Sequence, residues 1–197
     1  MKKLTILLTA VLFSATAAFS QPVSDQGVIP IGVTLNSILR LNITSGGNIE
    51  YVVNTIDQYT NGIVPQTRYE THFTVASSVD FDVSLIADAA NFTGVDDATH
   101  TIPLDNLGYT ILGDGVPATG STLLAGVQQL SNVSANIILS DNVAPASGNA
   151  GDITQNAFVL QWELGTVAVA AAGGSLLNQS ITSDRYVVNV LLELSQH

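Results

Sequence analysis

Cysteine is absent from this sequence, and lysine occurs only at positions 2 and 3. A chain without cysteine forms no disulfide, offers no thiolate as a nucleophile or metal ligand, and carries no lipid on an N-terminal cysteine. A chain without lysine beyond its start has no amine for Schiff-base chemistry or for Lys–Asn isopeptide cross-links. The folded protein must therefore rely on its hydrophobic core, which a composition of 46% hydrophobic residues can supply.

Positive charge is scarce as well. After residue 3 the cations are Arg40, Arg68 and Arg185, and these three face sixteen acidic residues, which gives residues 21–197 a formal net charge of −13. Such a surface repels phosphate groups and anionic lipid headgroups. We therefore expect neither nucleic acid nor a membrane surface as a partner.

The first twenty residues have the pattern of a cleaved signal peptide. Lys2 and Lys3 precede the apolar run Leu4–Phe13, and small residues follow it. This pattern predicts cleavage before Gln21, with cleavage after Ala17 as the alternative. The apolar run is shorter than the roughly 20 residues that a spanning helix needs. We expect export to the periplasm, the cell surface or the medium, with no membrane span in the mature chain.

Two alternating runs lie on either side of Ser77-Ser78. Between Tyr69 and Val75, every second residue is apolar or Thr71, and polar residues stand between them. In the second run, Phe81, Val83 and Leu85 alternate with acidic and hydroxyl side chains. Side chains on a strand alternate between the two faces, so this pattern is typical of half-buried β-strands.

Similar runs recur along the whole sequence, separated by turns that are polar or rich in glycine. They cover residues 37–44, 49–56, 107–112, 134–140, 157–164 and 185–194. Residues 121–130 are ambiguous and are interpreted as a loop or a short strand. Nine or ten such runs, without a convincing helix, predict an all-β fold. We expect a two-sheet antiparallel β-sandwich, Ig-like or pilin-like, that forms a single domain over residues 35–197.

The alternation also predicts which side chains point inward. Five aromatic rings fall on apolar faces and are expected to line the core: Phe73, Phe81, Phe158, Trp162 and Tyr186. By the same period, Ala135, Ile137 and Leu139 should point inward. Tyr59 precedes the turn dipeptide Asn61-Gly62 and is the aromatic residue that we expect outside.

Residues 21–34 precede the predicted domain and form a segment with two interpretations. Ile29, Ile31 and Val33 alternate with Pro30 and Gly32. Proline within a strand-like run favours an edge strand or a free arm. The commoner arrangement is an edge strand of the chain's own sheet. In the other, the segment is an arm that pairs with a neighbouring subunit and places its three apolar side chains in alternate pockets.

Residues typical of catalysis are few. The sequence contains three histidines and no Gly-x-Ser-x-Gly, His-Glu-x-x-His or glycine-rich phosphate motif. His72 lies beside Glu70 on the polar face of its run, which is typical of a solvated pair. We therefore predict that the protein is not an enzyme.

The sequence contains only weak indications of a ligand-binding site. Asp88, Asp96 and Asp97 lie in one polar connection, and clustered carboxylates can hold calcium, although the spacing of an EF-hand is missing. These three residues are the metal candidates, and no other cofactor is predicted. Glycan binding requires exposed aromatic rings, for which Tyr59 is the candidate.

The C-terminal third resembles bacterial secreted β-sandwich surface proteins of the WxL-like and pilin-like kind. Trp162-Glu163-Leu164 reads W-x-L, and the run Tyr186–Ser195 is similar to the Tyr-led last strand of such domains. Where the family has a second W-x-L motif near the end, this chain departs from it with Leu192-Glu193-Leu194, and Asp184-Arg185 replaces the glycine that often precedes the tyrosine. The resemblance implies a β-sandwich that is displayed on the surface or associated with the envelope and assembles into fibres.

Together these patterns indicate an exported, non-catalytic structural or adhesive protein of the cell surface. Its expected partners are protein subunits, including copies of itself in a homopolymer, or other components of the cell envelope. Assembly would use β-strand addition through Ile29, Ile31 and Val33. The alternative is a secreted ligand-binding module for a glycan or calcium.

Overall fold

The computed structural model describes residues 27, 29–115, 120–141 and 148–197. The expected signal peptide, residues 1–20, lies outside the described residues. Contacts between Cα atoms divide the chain into two units, Met1–Leu35 and Asn36–His197. All described strands belong to the second unit.

The described residues form an all-β fold with twelve strands, one short α-helix and three 3₁₀ turns. The strands are β1 (Leu39–Ser45), β2 (Glu70–Ser77), β3 (Phe81–Ala87), β4 (Asn91–Gly94), β5 (Thr101–Pro103), β6 (Leu107–Gly113), β7 (Ser121–Leu123), β8 (Gln128–Gln129), β9 (Asn136–Asp141), β10 (Ala157–Leu164), β11 (Tyr186–Val187) and β12 (Val190–Gln196). The helix α1 spans Ile56–Asn61, and the 3₁₀ turns span Thr67–Tyr69, Leu104–Asn106 and Leu176–Gln179. In these residues no helix is long and apolar enough to cross a membrane.

The strands form three antiparallel sheets. A five-stranded sheet has the order β1-β2-β10-β6-β8, a four-stranded sheet β12-β3-β9-β7, and a small sheet β11-β4-β5. One hydrophobic cluster contains Phe73 and Phe158 from the first sheet together with Phe81 and Leu139 from the second. The predicted antiparallel all-β fold is confirmed. The small sheet was not predicted, because residues 87–103 were interpreted as a polar connection.

Strands β2 and β3 follow the alternation that the sequence predicts. Buried and half-buried residues alternate along both strands without interruption. Phe73, Val75, Phe81 and Val83 are each 0% exposed. Each such side chain contributes roughly 1.5–3 kcal/mol by leaving water, so these two strands carry a large part of the core.

The predicted inward face of β9 was right at Leu139 and wrong at Ile137. Ile137, expected inside, is 53% exposed, whereas Ile138 and Leu139 are both 0% exposed. The pairing of β9 with β3 explains the difference, because its register shifts between Val83 and Ser84. Such a bulge inserts one extra residue and turns the following side chains to the other face.

Residues 49–56 were also predicted wrongly, since they form no strand. Ile49, Tyr51 and Val53 are half-buried and pack against the core from an irregular segment. The segment ends where α1 begins, at a capping box in which the Thr55 hydroxyl accepts from the Gln58 amide and the Gln58 side chain accepts from the Thr55 amide. This local capping competes with an extended conformation of the same residues.

The closing run, predicted as one strand, is divided into β11 and β12. Tyr186 belongs to β11, which pairs with β4 in the small sheet, so its ring is half-buried and lies outside the central cluster. The prediction that Tyr186 lines the core was therefore wrong. Trp162, which is 6% exposed, does belong to the core as predicted.

Two neighbouring isoleucines test the register of β9. We expect Ile138→Ala to lower the free energy of unfolding by about 2–5 kcal/mol, because it leaves a cavity in the core. Ile137→Ala removes the same atoms from an exposed position and should change it by less than about 1 kcal/mol. Urea unfolding of both variants provides the measurement. Equal losses would contradict the register described above.

Candidate functional site

The candidate site is a cleft between residues 43–53 and residues 181–192, which we call the edge cleft. β1 and β12 are the outer strands of their sheets, with β2 and β3 as their neighbours. Among the described residues, no strand pairing joins the two walls. Only the end of β1 belongs to the first wall, whose residues 46–53 form no strand, and β1 approaches β12 to within 8 Å between Cα atoms.

Two neighbouring cavities lie along the edge cleft. The larger has a volume of about 560 Å³ and the smaller about 250 Å³. Both are lined by Asn48 and Ile49 from the first wall and by Val188 and Asn189 from the second. The shared residues place the two cavities next to each other.

The floor of the edge cleft is apolar. Alternate residues of both walls are half-buried hydrophobic side chains that pack against the core: Ile49, Tyr51 and Val53 on one side, and Val188, Val190 and Leu192 on the other. The residues between them, such as Asn48, Glu50 and Asn189, are exposed. An apolar floor with polar rims is the usual lining of a binding groove.

Hydrogen bonds fix the first wall where β1 ends. The Trp162 indole donates to the Thr71 hydroxyl at 2.9 Å, and that hydroxyl donates to the Gly46 carbonyl at 2.7 Å. Gly46 has φ +67°, and a Cβ atom there would lie 1.8 Å from the Glu70 carbonyl oxygen. Only glycine fits this turn. The wall therefore lies directly over the core strands β2 and β10.

Asp184 fixes the second wall. Its carboxylate accepts from the backbone amides of Asp96 at 3.0 Å, Asp97 at 3.1 Å and Arg185 at 2.6 Å, and Oδ2 lies 2.9 Å from His100 Nδ1. The side chain is 0% exposed. These bonds, the Asp96 amide first, lower the pKa of Asp184 to about 2. A Cβ atom at Gly94 would lie 2.3 Å from the same carboxylate, so the site needs glycine there.

Of the three calcium candidates, Asp88 and Asp97 form hydrogen bonds within the fold, and Asp96 is exposed. Asp88 accepts from the Asn189 amide at 3.1 Å and from its side-chain nitrogen at 2.7 Å, and so holds the second wall. Asp97 accepts from the amide and hydroxyl of Thr99, and these bonds lower its pKa. In the described part of the chain, no group of three or more His, Cys, Asp or Glu residues is placed to hold a metal ion.

Tyrosines line the larger cavity. Tyr51 stacks on Tyr69 with ring centroids 4.2 Å apart, and its buried hydroxyl has no hydrogen-bond partner among the described residues. Burial raises the pKa of Tyr51 well above its usual value, with smaller contributions from Tyr69 and Glu163. Tyr59, which α1 contributes, and Tyr186, whose hydroxyl donates to the Thr182 carbonyl at 2.6 Å, complete the set.

An ion pair crosses the rim of the edge cleft. Arg185 Nε lies 3.3 Å from Glu50 Oε1, and the two side chains are 64% and 58% exposed. Exposed pairs of this kind contribute about 0–1 kcal/mol. The pair therefore joins the walls only weakly.

Residues 29–35, part of the predicted edge strand or arm, expose four apolar side chains. Ile29, Ile31, Val33 and Leu35 are 83%, 86%, 79% and 90% exposed. Residues 29–35 belong to no strand or helix. Scattered exposed apolar residues are ordinary, but four at a spacing of two would lie on one face of an extended strand, and we call these four residues the apolar stripe.

His72 lies beside Glu70, as the sequence predicted, and has a second partner, Asp114, that the sequence did not predict. Its Nδ1 lies 2.7 Å from Asp114 Oδ2, and its Nε2 lies 3.5 Å from Glu70 Oε2. The bond to Asp114 is the main cause that raises the pKa of His72, while burial opposes it. His72 lies on the face of β2 opposite the core and takes no part in the edge cleft.

Comparisons with known proteins found no family model that matches the chain and no matching curated protein. The resemblance to WxL-like and pilin-like proteins therefore stays an expectation.

We predict that Asp184→Asn removes part of the pH dependence of stability. A carboxylate whose folded pKa is about 2 stabilises the fold above its ordinary pKa of 3.8, and this contribution is lost as the pH falls towards 2. The difference in unfolding free energy between the natural chain and the variant should thus be largest above about pH 4 and shrink below it. Urea titrations over this range measure it.

Asp96→Asn serves as the matched control for that experiment. It removes the same charge from a side chain that is exposed and makes none of the Asp184 bonds. A difference for Asp184→Asn that stays constant between about pH 5 and pH 2 would contradict the assigned role.

Proposed function

We propose that the protein is an exported, non-catalytic structural subunit of the cell surface that assembles with copies of itself by β-strand addition. The observation that carries the proposal is the exposed apolar stripe of residues 29–35. Each of its side chains would contribute roughly 1.5–3 kcal/mol on full burial. The stripe would therefore occupy a partner surface that can bury these side chains.

The charge of the chain supports contacts of this kind. Residues 29–35 carry no charge, whereas the whole chain has a formal net charge of −11. Copies of an acidic protein repel each other, and salt screens this repulsion over about 10 Å at 0.1 M. An uncharged arm that uses backbone hydrogen bonds and apolar side chains avoids adding to the repulsion.

Substitutions in the arm test the assembly. Ile31→Asp should weaken self-association by about 10- to 100-fold, because a side chain worth roughly 1.5–3 kcal/mol is lost from the apolar stripe. Thr34→Asp adds the same charge on the other face of the extended segment and should weaken it far less. Deletion of residues 21–34 should abolish it. Sedimentation velocity and negative-stain microscopy on protein from the full-length gene provide the readouts.

Association of the natural chain should increase with ionic strength, since screening reduces repulsion between acidic copies. A chain that stays monomeric at all concentrations and salt levels would end the assembly proposal. Equal effects of Ile31→Asp and Thr34→Asp on self-association would show that the alternation of apolar residues in the arm plays no part in assembly.

The second candidate is a secreted ligand-binding module, and the tyrosines of the larger cavity favour it. Tyr51, Tyr59 and Tyr186 line a space of about 560 Å³ with polar rims, a lining suited to a short glycan. Calcium is the other ligand expected from the sequence.

A ligand would raise the melting temperature by mass action. For a glycan that binds the cleft, Tyr186→Ala should remove the shift, and Tyr109→Phe, altered in the core away from the cavity, should keep it. Thermal melts with glycan-array hits, and with and without calcium, make the comparison. No hits and unchanged melting in calcium would remove this candidate.

A further inference from the structure

We propose that Glu70, His72 and Asp114 form a pH-sensitive clasp, closed in mild acid and open in mild alkali, which ties the end of β6 to β2 across β10. The clasp lies on the outer face of the five-stranded sheet, because His72 points away from the core. It is independent of the proposed assembly, since none of its three residues lines the edge cleft.

The clasp joins two strands that are not neighbours. β10 lies between β2 and β6, and two strands separated by a third are about 10 Å apart. Asp114 directly follows β6, and its amide donates to the Ala157 carbonyl of β10 at 2.9 Å. From there its carboxylate reaches over β10, where Oδ2 lies 2.7 Å from His72 Nδ1. The side-chain contact therefore adds a link that the backbone ladder between β2 and β6 does not provide.

A second carboxylate faces the other nitrogen of the imidazole ring. Glu70 Oε2 lies 3.5 Å from His72 Nε2, and Glu70 Oε1 accepts from the Gln161 side chain of β10 at 2.9 Å. The bond from Gln161 holds this carboxylate in place beside the ring. The imidazole thus stands between two anchored negative charges, one at each nitrogen.

The neighbouring strands bring no further charge to the imidazole. β1 contributes Ser45, which pairs with His72, and Thr44, whose hydroxyl donates to the His72 carbonyl at 3.2 Å. β10 contributes Val159, which pairs with His72 from the other side. Among the described residues, neither carboxylate of the clasp has an arginine within 4.0 Å. The charge of the imidazole itself therefore decides whether the three groups attract or repel one another.

Protonation of His72 closes the clasp. A protonated imidazole has an N–H on both nitrogens and can donate to both carboxylates. A neutral imidazole has one N–H, so it turns a lone pair towards the second carboxylate. Histidine exchanges between these forms near neutral pH, and the side chain is 27% exposed, so that protons from solvent reach it.

The contribution of the clasp to stability has a definite sign. The bond to Asp114 is the largest cause that raises the pKa of His72 above its ordinary value of 6.5. The clasp therefore stabilises the fold fully below pH 6.5, and this effect is lost as the pH rises through the pKa of the folded state. Asp184 acts at the other end of the range, because its contribution is lost below about pH 4. The two groups together favour the folded state most strongly in mild acid.

Urea unfolding of the natural chain and of His72→Gln between about pH 5 and pH 9 tests this contribution. Glutamine keeps a polar side chain and removes the titratable group. We expect the natural chain to have the higher urea midpoint at pH 5 and the difference to shrink as the pH rises. The pKa of His197, which lies beside Asp82, is also raised, but His197 is present in both chains and its effect cancels. A difference that is the same at every pH would overturn the clasp.

NMR titration of the histidine rings gives a second measurement, and the chain has only three histidines. Asp114→Asn should lower the pKa of His72, because it removes the main cause that raises this pKa. Asp96→Asn removes the same charge from an exposed residue that makes no contact with His72 and should leave the pKa of His72 nearly unchanged. Equal effects of the two substitutions would contradict the assigned pairing.

Hydrogen exchange of the Asp114 amide tests whether the clasp holds the end of β6. In the natural chain, protection of this amide, corrected for the intrinsic rate, should fall about two- to fivefold between about pH 6 and pH 8, as expected for the loss of a partly exposed ion pair. In His72→Gln the protection should not depend on pH. Constant protection in the natural chain, while His72 titrates, would show that the ion pair ties nothing and would end the proposal.

Discussion

Burial of alternate side chains along β2 and β3 is the constraint on which the rest of the structure depends. A slip of one residue in either strand would exchange Phe73 or Phe81 for polar neighbours, so the register is strongly fixed. β2 carries β1 on its outer side, and β3 carries β12. The two inner strands therefore decide where the outer edges lie, and with them the walls of the edge cleft.

The alternation of period two made most of the strands predictable, because a half-buried strand records its two faces in its own residues. It failed where the backbone departs from a regular strand. The bulge in β9 moved Ile137 outside, and the capping box at Thr55 ended an apparent strand. The small sheet was not predicted because its strands have two to four residues, too few to show an alternation of apolar and polar residues.

The candidate site was predictable only in part. The exposed apolar side chains of residues 29–35 could be recognised because alternation around Pro30 is a local pattern. The edge cleft could not, because its walls lie more than a hundred residues apart in sequence and meet only in the fold. Asp184 shows the same limit, since its role depends on the amides of Asp96 and Asp97, which the fold brings to it.

The first wall is unusually sensitive to substitution of Gly46. The backbone of β2 occupies the space where a side chain would start, so even a methyl group would act as a wedge between that turn and the sheet. It would also break the hydrogen bond that the Thr71 hydroxyl, itself bonded by the Trp162 indole, donates to the Gly46 carbonyl. Any larger residue at position 46 would therefore displace the first wall of the edge cleft from β2.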